Sequence, residues 1–339
     1  MSSLRALFSK KNLFRYSFSL LLGIGLLFWV YQSIDITHLQ SYLLDSSIRW
    51  KIIFASIFMG VLANFFRGLR WRLLIAPFST PPPRRINVVL ASWGCFSMNL
   101  LFPRAGEVWR CAALARREHL SFSKLLGSLF MDRIMDVVAI VFLIVGGGFL
   151  FRDSLVLFFS AQSNWGERIQ LWLLSPKFWL LIVVLLLLIS VGVIWIYKRN
   201  LWQKVKAEIR MIVEGFSSIR SLPHPWLFLL YSVLMWVCYY YAFRMTFDAF
   251  TFTQGLECSV ALLAFIMGTI GVVAPVQSGI GAWHFMVITT LTLFGVARQD
   301  AGVFALVVHT FQTLGNAFVG FFAILVLPLL NKNYNRTAK

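Results

Sequence analysis

Six ionisable side chains in an otherwise apolar chain set the chemistry available to it. Arg104, Glu107 and Arg110 crowd a break in the stretch 98–110, M-N-L-L-F-P-R-A-G-E-V-W-R, and Asp132, Arg133 and Asp136 follow one connector later. Asp132 and Asp136 are four apart and share a helix face, with Arg133 to one side of it. Ionisable groups inside apolar segments are costly, so they line a cavity or pair with one another. Two compatible readings follow. One is a cleft of alternating charge that receives a zwitterionic or charged headgroup; the other is an internal salt-bridge cluster that pins the break to the next helix.

A second stretch, 270–284 (I-G-V-V-A-P-V-Q-S-G-I-G-A-W-H), is built alike. Pro103 and Gly106 punctuate the first break, and Pro275, Gly279 and Gly281 the second. Asn99 precedes the first; the second offers Gln277, Ser278 and His284. His309, Gln312 and Asn316, at i, i+3 and i+7, fall on one face of an apolar helix and suit a lined cavity. A helix starting near Ala282 would point free N–H groups at the site and favour an anion such as phosphate. For each histidine the plainer reading is a hydrogen-bonded core residue.

Other chemistries find little purchase. The chain shows no HExxH, no nucleotide-binding glycine loop and no CxxC, so no metal and no cofactor is expected. Cys95, Cys111, Cys238 and Cys258 read as buried thiols. Ser278 with His309 is similar to the Ser/His pair of rhomboid-type proteases, but the Gly-x-Ser-Gly pattern lacks its first glycine. The balance of 31 Lys and Arg against 13 Asp and Glu, net +18, would suggest nucleic acid in a soluble protein. Here the basic residues lie between apolar segments, as topology determinants, so no nucleic-acid partner is expected.

Of the 339 residues 59% are hydrophobic and 13% charged. That composition, with several apolar windows beyond eighteen residues, indicates an all-α polytopic membrane protein. Full spans are expected at about 13–31, 52–75, 125–150, 178–197, 226–247 and 302–330. The segment 86–102 is short, and a full crossing would carry Arg110, Arg116, Arg117 and Lys124 outside. A re-entrant hairpin over about 86–120 keeps them cytoplasmic, and a second over about 258–296 answers it. The two halves, 13–150 and 178–330, then form one membrane domain as an inverted repeat, with both termini cytoplasmic. Broken segments at matching positions of two inverted halves point to a transport-type site near mid-membrane. Arg67, Arg70 and Arg72, at the end of the second span, read as snorkelling anchors or as phosphate recruiters. Residues 201–216 carry apolar positions at helical spacing, for a helix on the cytoplasmic leaflet or a solvated connector.

At the residues Asn99 to Arg110, Asp132-Arg133-Ile-Met-Asp136 and Pro275 to Gly281, the chain resembles the flippase-like transmembrane family typified by the membrane half of bacterial lysylphosphatidylglycerol synthase/flippase. The resemblance implies a multi-pass protein of the bacterial inner membrane that moves lipids or lipid-linked molecules between leaflets. Its partners would be membrane lipids with anionic or zwitterionic headgroups, and an enzyme that modifies them. Two departures stand out. The family's Pro-Gly-Gly-Leu-Gly with a later Glu is here Val276-Gln277-Ser278-Gly279-Ile280-Gly281 with His284 at the acid's place. The chain also ends at Lys339 without the cytosolic aminoacyl-transfer domain, so the lipid would be made elsewhere. A transporter of a small polar solute and an accessory subunit for a lipid-modifying or glycosyl-transferring enzyme are the alternatives.

Overall fold

The computed structural model describes residues 21, 24–32, 48–101, 105–152, 176, 202–274 and 276–331. Among them the regular structure is helical: α1 (Trp50–Ile75), α2 (Arg85–Leu101), α3 (Ala105–Glu118), α4 (Phe122–Leu150), α5 (Trp202–Phe216), α6 (Pro225–Phe247), α7 (Cys258–Val273), α8 (Ala282–Leu293) and α9 (Arg298–Leu330). Three stretches, 50–78, 225–247 and 298–330, are long and apolar enough to cross a membrane. The six expected spans are therefore met in part. The 29-residue α4 occupies the predicted 125–150, the segment 178–197 lies outside the described residues, and so does much of 13–31. Pro103, Arg104 and Pro275 also lie outside them.

Length separates the remaining helices from the spans. At ~1.5 Å per residue, the 17 residues of α2 and the 14 of α3 fall short of the ~20 needed to cross hydrocarbon. The same holds for α7, with 16, and α8, with 12. Each pair folds back on itself. In the first, a Cβ on Gly106 would lie 2.0 Å from the carbonyl oxygen of Cys95, and Trp109 covers Gly94. At the far end Glu118 accepts from the backbone of Arg84 (3.0 Å) and the side chain of Asn87 (2.6 Å). In the second, Gly268 faces Trp283 and Gly271 faces the backbone of Ala282. Both are antiparallel helical hairpins. Glu107 in the first turn of α3 and Arg116 and Arg117 in its last complement the helix dipole.

Packing partners recur between the two halves. α1 lies on α2 as α6 lies on α7, α3 on α4 as α8 on α9, and α2 on α9 as α7 on α4, while α1 and α6 pack on each other. The hairpins thus sit between the long helices, each braced by the other half.

α5 is docked on the start of α4. Gly127 lets the backbone of Ile212 come so close that a Cβ would meet its oxygen at 2.0 Å, and Lys124 bridges to Glu214 at 2.9 Å. That hydrogen bond from Lys124 holds the Glu214 carboxyl below its ordinary range. Ile209, Val213 and Phe216 stay exposed, so α5 keeps an apolar face outside its contact with α4. Gly127→Ala should push α5 off at roughly 1–3 kcal/mol and speed tryptic cleavage at Arg210 in detergent; an unchanged cleavage rate would contradict the docking.

Candidate functional site

The charged residues meet where α1, α3 and α4 cross. Arg70 reaches Asp132 at 2.5 Å and Asp136 at 2.7 Å, and Arg67 reaches Asp136 at 2.6 Å. Arg110 lies 3.4 Å from Asp132 and stacks over Trp71, 4.4 Å from the ring centre. Arg133 bridges Glu107 at 2.6 Å and Asp136 at 3.3 Å. Arg70 and Asp132 have no exposed side-chain surface. Burying an ion costs several kcal/mol, recovered only through well-placed partners, so these seven groups stand or fall together. Four guanidiniums against three carboxylates leave the cluster with one net positive charge. Arg133 and Glu107 are its open edge, with 36% and 26% of their side-chain surfaces exposed against 13% or less for the rest.

Arg67 and Arg70, which the sequence offered as snorkelling anchors or phosphate recruiters, belong to the charged cluster. They turn inward rather than snorkel at the helix end, and Arg67 also donates to the Tyr239 hydroxyl at 3.3 Å. Arg72 alone stays at the helix end, donating to the Pro83 carbonyl at 2.7 Å. The signal available was their i, i+3 spacing opposite the i, i+4 aspartates.

Asn99 acts locally, where its Oδ1 accepts the Gly106 N–H at 2.8 Å and ties the arms of the first hairpin. The two hairpins meet tip to tip, since the Gln277 amide donates to the carbonyl of Leu100. In the second break Ser278, Gly279 and Gly281 all hold positive φ, 51°, 74° and 81°. Gly281 is further required because a Cβ there would strike Leu26 at 2.4 Å.

His309 Nε2 is 3.0 Å from the Ser278 carbonyl. A carbonyl only accepts, so this nitrogen carries the proton. The partner is the serine's backbone, not its hydroxyl. His284 accepts the Gly281 N–H at Nδ1 (3.3 Å) and packs against His309, ring centres 4.6 Å apart. Gln312 donates to the Ala242 carbonyl at 2.9 Å, and Asn316 meets Asn64, which the Tyr239 hydroxyl joins at 3.0 Å. The α9 face expected to line a cavity is thus hydrogen-bonded into the bundle. Through Tyr239 and Arg67 it is continuous with the charged cluster.

Next to the cluster, α4 and α7 part. A cavity of about 400 Å³ opens between them, lined by Val137, Ile140, Val141 and Ile144 on one side and Ile270, Val273 and Ala274 on the other. Val137, Val141 and Val273 are more than half exposed, so it opens sideways rather than into the bundle. Beyond Ile144 the helices close again, where Gly147 receives the side chain of Ile266. No spacing in the sequence announces a groove made of ordinary aliphatic residues. The expectation of four buried thiols needs one correction, because Cys258, at the start of α7, is exposed. Among the described residues no group of side chains is arranged to hold a metal ion.

Buried ion pairs, helices of membrane-crossing length and a sideways apolar groove define a helical membrane protein with a polar interior. The family model described as the lysylphosphatidylglycerol synthase TM region matches residues 16–320; the chain belongs to that family. It is also 25% identical over 323 residues, covering 88% of both chains, to a UPF0104 membrane protein of Methanothermobacter thermautotrophicus. No solved structure matches it significantly.

Proposed function

We propose that this protein moves lipids, or molecules carried on lipids, between membrane leaflets. The observation that carries the reading is the adjacency of a buried charged cluster and an apolar groove whose lining is exposed on the outside of the bundle. A lipid has both parts, and a groove open sideways lets its chains stay in hydrocarbon while its headgroup enters protein. The helix lengths support hairpins that dip into the membrane and return, and the recurring packing supports an inverted repeat, the architecture of alternating access. Irregular backbone at such depth is tolerated where protein buries it or a cavity lines it. With the clusters of basic residues inside, both termini face the cytoplasm of a cell whose cytoplasmic membrane houses the protein. The role is non-enzymatic and cofactor-free.

A transporter of small solutes would enclose its cargo, and the sideways opening weighs against it. Leaflet exchange of a fluorescent phospholipid in proteoliposomes tests the proposal. Val141→Trp, which fills the groove with a large side chain, should slow exchange about tenfold or more, a barrier rise of ~1.4 kcal/mol, with the fold intact. An unchanged rate would take the groove off the path.

A further inference from the structure

We infer that the lipid recognised is anionic, held by its phosphate at Arg133 with one acyl chain in the α4/α7 groove, and that Glu107 occupies this phosphate site when no lipid is bound. The inference rests on the reading of that groove as a lipid path and adds the chemistry of the cargo.

Three observations converge. First, Arg133, Val137, Ile140, Val141 and Ile144 fall at i, i+4, i+7, i+8 and i+11, so one face of α4 carries the guanidinium and then the groove wall. The groove side of that face is about 15 Å long, from Val137 to the closure at Gly147. A headgroup at Arg133 would place its chain along the wall, pointing away from the end that carries Arg116, Arg117 and Lys124. Lipids of the leaflet on that side have this orientation.

Second, the charge of the cluster favours an anion. Asp132 and Asp136 are shared among Arg67, Arg70, Arg110 and Arg133, and the cluster as a whole carries one surplus positive charge, with Arg133 as its exposed guanidinium. A phosphate that displaced Glu107 from Arg133 would be neutralised there, whereas a cationic headgroup would add to an existing excess. A guanidinium also matches phosphate oxygens in a bidentate fork.

Third, Arg133–Glu107 is the exchangeable bridge. Its partners are the most exposed of the cluster, and partly exposed pairs are the easiest to break. Glu107 belongs to the hairpin and Arg133 to the long helix, so replacing the carboxylate with a phosphate would remove one of the ion pairs that tie the first hairpin to α4 and leave Arg110–Asp132 as the other. Cargo binding and hairpin movement would be coupled by that single swap.

Native mass spectrometry of the full chain from detergent, with phosphatidylglycerol, phosphatidylcholine of the same chains, and glycerol phosphate, tests this. Phosphatidylglycerol should bind wild type at least tenfold more tightly than either other ligand. Arg133→Gln should lose that preference, while Glu107→Gln, which empties the site, should strengthen phosphatidylglycerol binding more than phosphatidylcholine binding. Equal binding of the two lipids, or Glu107→Gln weakening the anionic one, would overturn the site. Binding of glycerol phosphate as tight as that of the lipid would overturn the acyl-chain part and leave a free-anion site. Loss of charge preference with leaflet exchange intact defeats this inference alone. Selective binding without any leaflet exchange upholds the site and defeats the translocase reading.

Discussion

Arg70→Met should unfold or strongly destabilise the protein, at a cost of roughly 3–5 kcal/mol. Arg70 is completely buried and, among the described residues, is the one side chain that bridges Asp132 and Asp136 together, at 2.5 and 2.7 Å. Without it Asp132 keeps only the longer contact with Arg110 at 3.4 Å, and two carboxylates on adjacent turns of α4 repel one another in a low-dielectric setting. The penalty lies in the uncompensated charge rather than in a lost attraction, because a buried ion pair is worth little against a well-packed apolar replacement. The double variant Arg70→Met with Asp132→Leu should therefore recover part of the loss, the remainder being the cost of Arg110, which loses its carboxylate partner. Thermal unfolding in detergent reads both. If the double variant is no more stable than Arg70→Met, the cluster does not work as a charge-balanced unit.

Gly106→Ala should be nearly as damaging, although it adds one methyl group. The added Cβ would lie 2.0 Å from the Cys95 carbonyl oxygen and 2.8 Å from the Asn99 Oδ1 that receives the Gly106 N–H. A backbone oxygen inside a helix cannot rotate away, so the arms of the first hairpin must separate. Overpacking of this kind costs roughly 1–3 kcal/mol or more. Separation would also misplace Glu107 and Arg110, the next charged residues on the same helix, so leaflet exchange should fall beyond what stability alone explains. Gly146 is the matched control, with open space where its Cβ would stand. Gly146→Ala should leave stability level or raise it by up to ~1 kcal/mol through helix propensity. Equal melting temperatures for the two variants would contradict the close approach of α2 and α3.

The sequence carried the hairpins openly. Short apolar segments that end in Pro103 to Gly106 and Pro275 to Gly281 mark where each chain segment folds back on itself. The pairing of Asp132 with Asp136 on one face was equally plain, because it depends only on helical spacing. Their partners were not. Arg67 and Arg70 are more than sixty residues away, and at a helix end an arginine has a ready alternative in snorkelling to water. Only the crossing of α1 with α4 removes that option. The α9 residues showed their face but not their partners. A polar face at i, i+3 and i+7 looks like a cavity lining, yet Gln312 and Asn316 direct their hydrogen bonds to neighbouring helices. The groove left no trace, since its lining differs from lipid-facing surface in shape and not in residue type.

Passage of a whole lipid between leaflets is the central claim, and reconstitution tests it most directly. Purified protein would be placed in vesicles containing a headgroup-labelled phosphatidylglycerol in both leaflets, and a membrane-impermeant quencher added outside. Without protein only the outer-leaflet label is lost. With protein, quenching should proceed to nearly all of the label, and it should stay slow in Val141→Trp vesicles of equal protein content. Quenching that stops at the outer-leaflet fraction in wild-type vesicles, for anionic and zwitterionic lipids alike, would contradict the lipid-translocating role.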